Sequence, residues 1–364
     1  MKIARVKTEI VKLPAEEPLA GTPPANPNET RPIVVLDMAT DDGIEGLGVT
    51  FFGGPMTGAL RTAVEELGTL AIGMDPSRPE AIAMKLRNAM GTSVLGGAFT
   101  LAQSAVDMAL WDIRAKALNL PLWRLLGGAR DRIPTYASGA LMRSLTDDQV
   151  VKAGRTLVER GFKQMKTQLA LPGDTSPAKE VARARLVREA VGPDITLMCD
   201  INQRWRPEQA IDIGRRVEDV NFFWLEDVTT ADDYQGLARI TAALKTPIAG
   251  GEYVFGIVPF RHMLAAHAVD IPMVDLVRVG GITQWLKVAG MCEAYNLPIV
   301  SHLIPEVHVH LVAAVPNGLT VEYMPWLRRL FQEVPMPKNG ELVMPTKPGL
   351  GLSFDRDALK KFKP

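Results

Sequence analysis

Between residues 161 and 322, short apolar runs end one after another on a polar residue. FKQMKTQ closes on Lys166 and Gln168, ITLMCD on Asp200, FFWLE on Glu226, PIAGGE on Glu252, PIVSH on His302 and GLTVE on Glu322, while MVDLV carries Asp275 at its opening. A segment with helical spacing separates each run from the next, the pattern of βα units with parallel, buried strands. Asp200, Glu226 and Glu252 follow one another at intervals of 26 residues, one unit per step. Repetition of this kind predicts an α/β protein built on a closed (β/α)8 barrel, in which the C-terminal strand ends form one site. Taken singly, each carboxylate could cap a helix or pair with an arginine. Three at consecutive strand ends read as one cluster.

The chain has 364 residues, more than the ~250 of a bare barrel, which leaves room for a second domain. Residues 1–128 are expected to form an α+β unit with strands at 3–13, 32–39 and 46–52. Asp41-Asp42-Gly43 supplies the hairpin turn between the last two, glycine taking the positive φ. The stretch 16–31 is rich in Pro, Asn and Gly and reads as a flap, and FFGGP at 51–55 as a second flexible point. Helices follow at 56–72, 78–91 and 101–118, with Trp111 on the last assigned to packing. The barrel is expected over 129–324, opening with a strand at 134–139 and a helix at 146–160 that starts in a Thr146–Gln149 capping box. Further helices are expected at 177–190, 207–218, 231–244, 257–267, 282–295 and 306–314, and the tail 325–364 is expected to fold back on the first domain.

Composition excludes several classes. The formal net charge is zero, from 41 basic and 41 acidic residues, so neither nucleic acid nor an anionic membrane is expected as partner. Cys199 and Cys292 are the only cysteines, too few for a disulfide framework and consistent with a reducing compartment. No uncharged run reaches the roughly 18 residues of a membrane span, and the N-terminus lacks the apolar core of a signal peptide. A cytoplasmic enzyme is expected.

Asp200, Glu226 and Glu252 offer hard oxygen ligands, which suit Mg²⁺; nothing in the cysteine and histidine spacing suggests zinc. Asn202 is placed to hydrogen-bond a ligand. His302 with Asp275 forms a candidate acid–base dyad, the carboxylate fixing the imidazole tautomer. The other histidines, His262, His267, His308 and His310, are read as core residues in helices. Lys166 and Gln168 share one strand face, with Lys163 on the other. Glu322, if desolvated, would stay protonated and donate a hydrogen bond to a developing oxyanion.

AVDMALWDIRAKALNLPLWRLLGG, GFKQMKTQ, MCDINQRW, WLEDV, GGEYVFG, VDLVRVGGITQW and SHLIPEVHVHL together span nearly the whole chain. In this set the sequence resembles the enolase superfamily, specifically its mandelate racemase subgroup. The resemblance implies a modified barrel under an N-terminal α+β capping domain, with loops 16–31 and 51–55 closing over its mouth. It also implies Mg²⁺ on Asp200, Glu226 and Glu252, a His302–Asp275 base and Glu322 as electrophile. Lys166 matches the lysine that helps bind the substrate carboxylate. Branches with a lysine on the sixth strand fit poorly, since Asp275 stands there with Arg278 the only basic residue nearby.

One departure decides the expected chemistry. The subgroup's second strand usually carries K-x-K, and here it reads Lys166-Thr167-Gln168. A carboxamide cannot take a proton at neutral pH, so only the face of His302 keeps a base. Val228, where the subgroup often has proline, is assigned no function. The expected reaction is removal of the proton α to a carboxylate, followed by loss of a β-hydroxyl from an acid sugar to give a 2-keto-3-deoxy acid. The alternatives are a racemase or epimerase of a 2-hydroxy acid or amino acid derivative, and a barrel that binds without turnover. Arg204, Trp205 and Tyr253, with the two loops, are expected to select the substrate. Relatives of this kind form homo-oligomers, commonly dimers or octamers.

Overall fold

The computed structural model describes residues 1–22, 26, 28–92, 96–173 and 176–364; part of the expected flap, residues 23–25 and 27, lies outside them. Ile3–Pro14 (β1), Thr30–Thr40 (β2) and Glu45–Thr50 (β3) form an antiparallel sheet in that order. Gly43 turns the β2–β3 hairpin at φ 87°. Three helices follow, Thr57–Ala71 (α1), Pro79–Ala89 (α2) and Ala98–Ala117 (α3), then the single turn Leu122–Leu125 (α4). Helix α3 lies directly on β3: a Cβ at Gly48 would sit 2.0 Å from the Ala105 carbonyl oxygen. Glycine is required there for close approach.

Eight parallel strands form the second layer: Arg132–Leu141 (β4), Gln164–Gln168 (β5), Thr196–Asp200 (β6), Leu225–Glu226 (β7), Ile248–Gly250 (β8), Ile271–Asp275 (β9), Val300–His302 (β10) and Val321–Tyr323 (β11). They pair in chain order, and β11 closes back on β4. Between β10 and β11 the ring is joined by a parallel bridge at Ile299 and Gly318. The crossover helices are Asp147–Glu159 (α5), Pro177–Val191 (α6), Pro207–Arg216 (α7), Tyr234–Ala243 (α8), Val258–Ala265 (α9), the turn Leu276–Val279 (α10) with Ile282–Ala294 (α11), and Pro305–Ala314 (α12). The Thr146–Gln149 capping box opens α5 with both of its reciprocal hydrogen bonds.

Two boundaries differ from expectation in ways that matter for the site. Strand β4 runs on past Gly139 to Leu141, with a register irregularity between Ala137 and Leu141. Gly139, at φ 84°, marks this irregularity and not the strand's end. Asp275 ends β9 instead of opening a strand, and its carboxylate caps α10 by accepting from the Val277 and Arg278 N–H groups.

Residues two positions before the strand-end groups point into the barrel beneath them, because the pleat repeats every second residue. Met198, Trp224, Met273 and Val300, with Tyr136, Ala249 and Ile271, form a separate apolar cluster there. After β11 the chain leaves the barrel. Glu341–Val343 (β12) pairs antiparallel with β4, and Arg356–Lys361 (α13) brings Arg356 onto Asp37 through two hydrogen bonds of 2.7 Å. Leu350 N donates to Asp112 of α3 at 2.8 Å.

Helix α3 also docks on the barrel. Its Asp107 accepts from Thr283 N at 2.9 Å and Thr283 Oγ1 at 2.5 Å, at the start of α11. Trp111 is buried and donates from Nε1 to the same hydroxyl at 2.9 Å, a packing role. Among the described residues no helix is long and apolar enough to cross a membrane.

Candidate active site

The barrel register brings the strand-end groups to one level. Gln168 pairs with Asp200, Asp200 with Glu226, and His302 with Asp275 across neighbouring strands. Of these, Gln168, Asp200 and His302, together with Lys166, Asn202, Glu252, Tyr253 and Glu322, line a cavity of about 180 Å³ at the C-terminal strand ends. Phe52, from the 51–55 loop, also lines this cavity, so the site lies between the barrel mouth and the N-terminal sheet's loop.

Asp200, Glu226 and Asp227 each present an oxygen within 4.8 Å of the others. Asp227 was not expected; it follows Glu226 in a left-handed conformation, φ 45°, which turns it back toward the site. Glu252 lies beside this trio and contacts His302, Oε1 to Nε2 at 3.3 Å. Asp227 Oδ2 and Glu252 Oε2 are buried without a partner among the described residues. Burial, then the neighbouring carboxylates, push Asp227 and Glu252 well above the usual range, and burial carries Glu226 to about 7 against the pull of Lys166. Orphaned, crowded carboxylate oxygens of this kind fit a hard divalent cation, which would satisfy their lone pairs and offset their repulsion.

Lys166 is buried between Glu226 Oε1 at 2.5 Å and Glu322 Oε1 at 2.9 Å. Burial opposes its charge, but the two carboxylates win and raise its pKa well above normal. For Glu322 the expectation of a protonated acid is corrected. Burial raises its pKa, yet Lys166, His302 and the Leu303 N–H together outweigh burial and hold it at about 2. Glu322 Oε2 accepts from Leu303 N at 2.6 Å, so the hydrogen-bond donor on this side is Lys166.

His302 Nδ1 lies 2.6 Å from Asp275 Oδ2. Burial pushes Asp275 up, but its bond to His302 and the neighbouring Arg278 hold it below the usual range. An ionised carboxylate can only accept, so Nδ1 carries the proton of this bond, and Nε2, 3.3 Å from Glu252 Oε1, is the ring nitrogen left to exchange a proton at the cavity. Phe52 stacks on the His302 ring at 6.3 Å with the planes 11° apart, and also covers Arg278, whose guanidinium lies 3.7 Å from its centroid.

Gln168 faces the other way. Its amide donates to Asn202 Oδ1 at 3.0 Å and to Asp200 Oδ2 at 3.4 Å. Asn202 fixes Asp200 by donating from its backbone and its side chain, each at 2.7 Å, and donates to Tyr253 Oη at 3.3 Å. Arg204, expected here, is exposed and is not among the residues lining the cavity. Arg143 is buried behind the site and donates to Asn202 Oδ1 and to the Ile201 carbonyl, the latter at 3.2 Å. The sequence signal for Arg143 was its place just past a strand end, hidden by ending that strand at Gly139. Trp205 is buried in the core. Of the four histidines assigned to the core, His308 and His310 are fully buried, whereas His262 and His267 are exposed and His267 lies in a turn beyond α9.

A parallel barrel with carboxylates on successive strand ends, a lysine opposite a His–Asp pair and an α+β unit over its mouth defines an enolase-type enzyme. Residues 149–358 match the model of the enolase C-terminal domain-like family, and residues 14–127 match that of the mandelate racemase / muconate lactonizing enzyme N-terminal domain. The chain belongs to the mandelate racemase / muconate lactonizing enzyme family. It is 32% identical over 361 residues to L-talarate/galactarate dehydratase of Salmonella typhimurium, covering 98% of this chain and 90% of that one. It is 30% identical over 359 residues to 3,6-anhydro-alpha-L-galactonate cycloisomerase of Streptomyces coelicolor, covering 98% of each. The crystal structure of L-talarate dehydratase from Polaromonas sp. JS666, complexed with Mg and L-glucarate, superposes with a TM-score of 0.90 at 32% identity, over 100% of this chain and 97% of that one.

Proposed function

We propose that this protein is a Mg²⁺-dependent acid-sugar dehydratase that forms a 2-keto-3-deoxy acid. The observation that carries the reading is the asymmetry of the cavity: a His302–Asp275 base on one side and the carboxamide of Gln168 on the other. Asp200, Glu226 and Glu252 would hold the cation, with Asp227 beside them. When bound, it supplies positive charge against the substrate carboxylate as that group gains electron density. Lys166, kept as an ammonium by Glu322, donates to the same carboxylate. His302 Nε2 takes the α-proton, and Asp275 stabilises the imidazolium that forms. The imidazolium then returns its proton to the β-hydroxyl leaving from the same face, so the elimination is syn.

A racemase needs a second base across the planar intermediate, and Gln168, committed to Asn202 and Asp200, offers none. The test is incubation with acid sugars and Mg²⁺ in D₂O, comparing the parent enzyme with His302→Asn. Keto-acid formation and α-proton exchange are expected in the parent and absent in the variant. Exchange that survives in His302→Asn would assign the base elsewhere.

A further inference from the structure

Building on the dehydratase reading, we propose that the substrate carries a single carboxylate, and that its far end is uncharged and rests on an apolar wall. The cavity lining is of two kinds. Lys166, Asp200, Glu252 and His302 make a charged part, which takes the reacting carboxylate. Leu141 and Met142 at the end of β4, with Met324 and Trp326 past the neighbouring β11, make an apolar part. The pleat explains the placement. Tyr136 points into the barrel and Ser138, two residues on, points the same way one level higher, at the edge of this wall. Ser138 lines the cavity, and its Oγ is buried without a partner among the described residues, so it can anchor one hydroxyl of the substrate.

A second carboxylate would need its own cation, because an unpaired buried charge is strongly disfavoured. Among the described residues lining the cavity the only lysine or arginine side chains are Lys166 and Arg278. Lys166 is committed to the reacting end. Arg278 donates to the Glu252 carbonyl oxygen at 2.9 Å and is covered by Phe52. Arg143 does not line the cavity, and its two terminal nitrogens donate to Asn202 and to the carbonyls of Asp200 and Ile201. Over residues 15–31 the sequence has one basic residue, Arg31, and its guanidinium lies on the Trp326 ring, 4.3 Å from the centroid. An apolar wall rejects an added hydroxyl only weakly and an added charge strongly. Discrimination should therefore fall on the second carboxylate, not on whether the chain ends in a methyl or a hydroxymethyl group.

The test compares three acids within each of several stereochemical series: a hexonate, its 6-deoxy analogue and the corresponding hexarate. With Mg²⁺ present, kcat/KM for keto-acid formation should be at least tenfold higher for both monoacids than for the hexarate. Calorimetric binding to the Mg²⁺-loaded enzyme should rank them in the same order. Met324→Arg should close the gap by about tenfold by placing a cation at the wall. A hexarate that binds and reacts as well as the monoacids in the parent enzyme overturns the proposal. If no acid reacts or exchanges its α-proton, the dehydratase reading falls, while the binding order still decides for or against the single-carboxylate substrate.

Discussion

His308 Nδ1 lies 2.6 Å from the carbonyl oxygen of Leu303. A carbonyl can only accept, so the ring proton is on Nδ1. Leu303 and Ile304 directly follow the candidate base, and both are left-handed, at φ 54° and 44°. Ile304 is β-branched, which makes this conformation costly. Glu322 holds the turn from the other side through Leu303 N. His308 is thus expected to position His302 through this turn. His308→Leu should lower kcat at least tenfold with a smaller change in KM. His308→Asn, whose amide nitrogen can occupy the Nδ1 position, should restore most of that loss, and His308→Gln should not. Equal losses in all three variants would reduce His308 to packing.

The same residue sets a pH dependence. Burial lowers the His308 pKa to about 4, against the pull of the Leu303 carbonyl. The unfolded chain therefore binds the proton first as pH falls, near the ordinary histidine value of about 6.5. The stabilisation is complete above that value and is lost between about 6.5 and 4. Urea unfolding of the parent and of His308→Asn over this range should show a steeper acid decline in the parent, by up to roughly 3 kcal/mol.

Asp107 works in the opposite sense. Burial raises it to about 7 against its Thr283 hydrogen bonds, so the folded state keeps a proton that the unfolded chain releases near pH 4. Its stabilisation is full below about 4 and is lost as pH rises through 7. Asp107→Asn should flatten the decline between about pH 4 and 7 relative to the parent, with a difference of up to about 4 kcal/mol. Parallel pH–stability curves for the two proteins would refute this account.

Cation binding should be visible in both stability and activity. Mg²⁺ should raise the melting temperature of chelator-treated protein, because it relieves repulsion among Glu226, Asp227 and Glu252. Turnover should disappear with the chelator and return with Mg²⁺. Glu226→Gln should remain folded by circular dichroism, show a much smaller Mg²⁺-dependent shift, and lose turnover. Full activity after chelation would remove the metal from the mechanism.

Gln168 predicts stereochemical exclusivity. Of two α-epimers, only the one whose C–H faces His302 should react, and substrate recovered from D₂O should contain no inverted, deuterated α-carbon. Gln168→Lys should introduce slow exchange on the opposite epimer. Efficient turnover of both epimers by the parent protein would favour a racemase.

Period and spacing were enough to read the barrel, because buried parallel strands leave continuous apolar runs and the residue after each run must face the mouth. Asp200, Glu226, Glu252, His302 and Glu322 were accessible in that way, and Asp275 was singled out even though it was read as opening a run and in fact ends its strand. Other features depend on contacts distant in sequence or on local backbone strain. Arg143 meets Asn202 59 residues away, across a strand whose irregularity at Gly139 concealed its true end. Asp227 joins the carboxylates through a left-handed φ that no residue pattern announces. Glu322 is ionised because Lys166, 156 positions earlier in the chain, lies 2.9 Å away, and a buried carboxyl's protonation depends on its neighbours as much as on its burial. His308 looked like core packing in a helical pattern, and only the turn it holds gives it a role. The sequence by itself determined which strands exist and which of their ends are polar; folding decided which of those polar groups touch, and with that their charges.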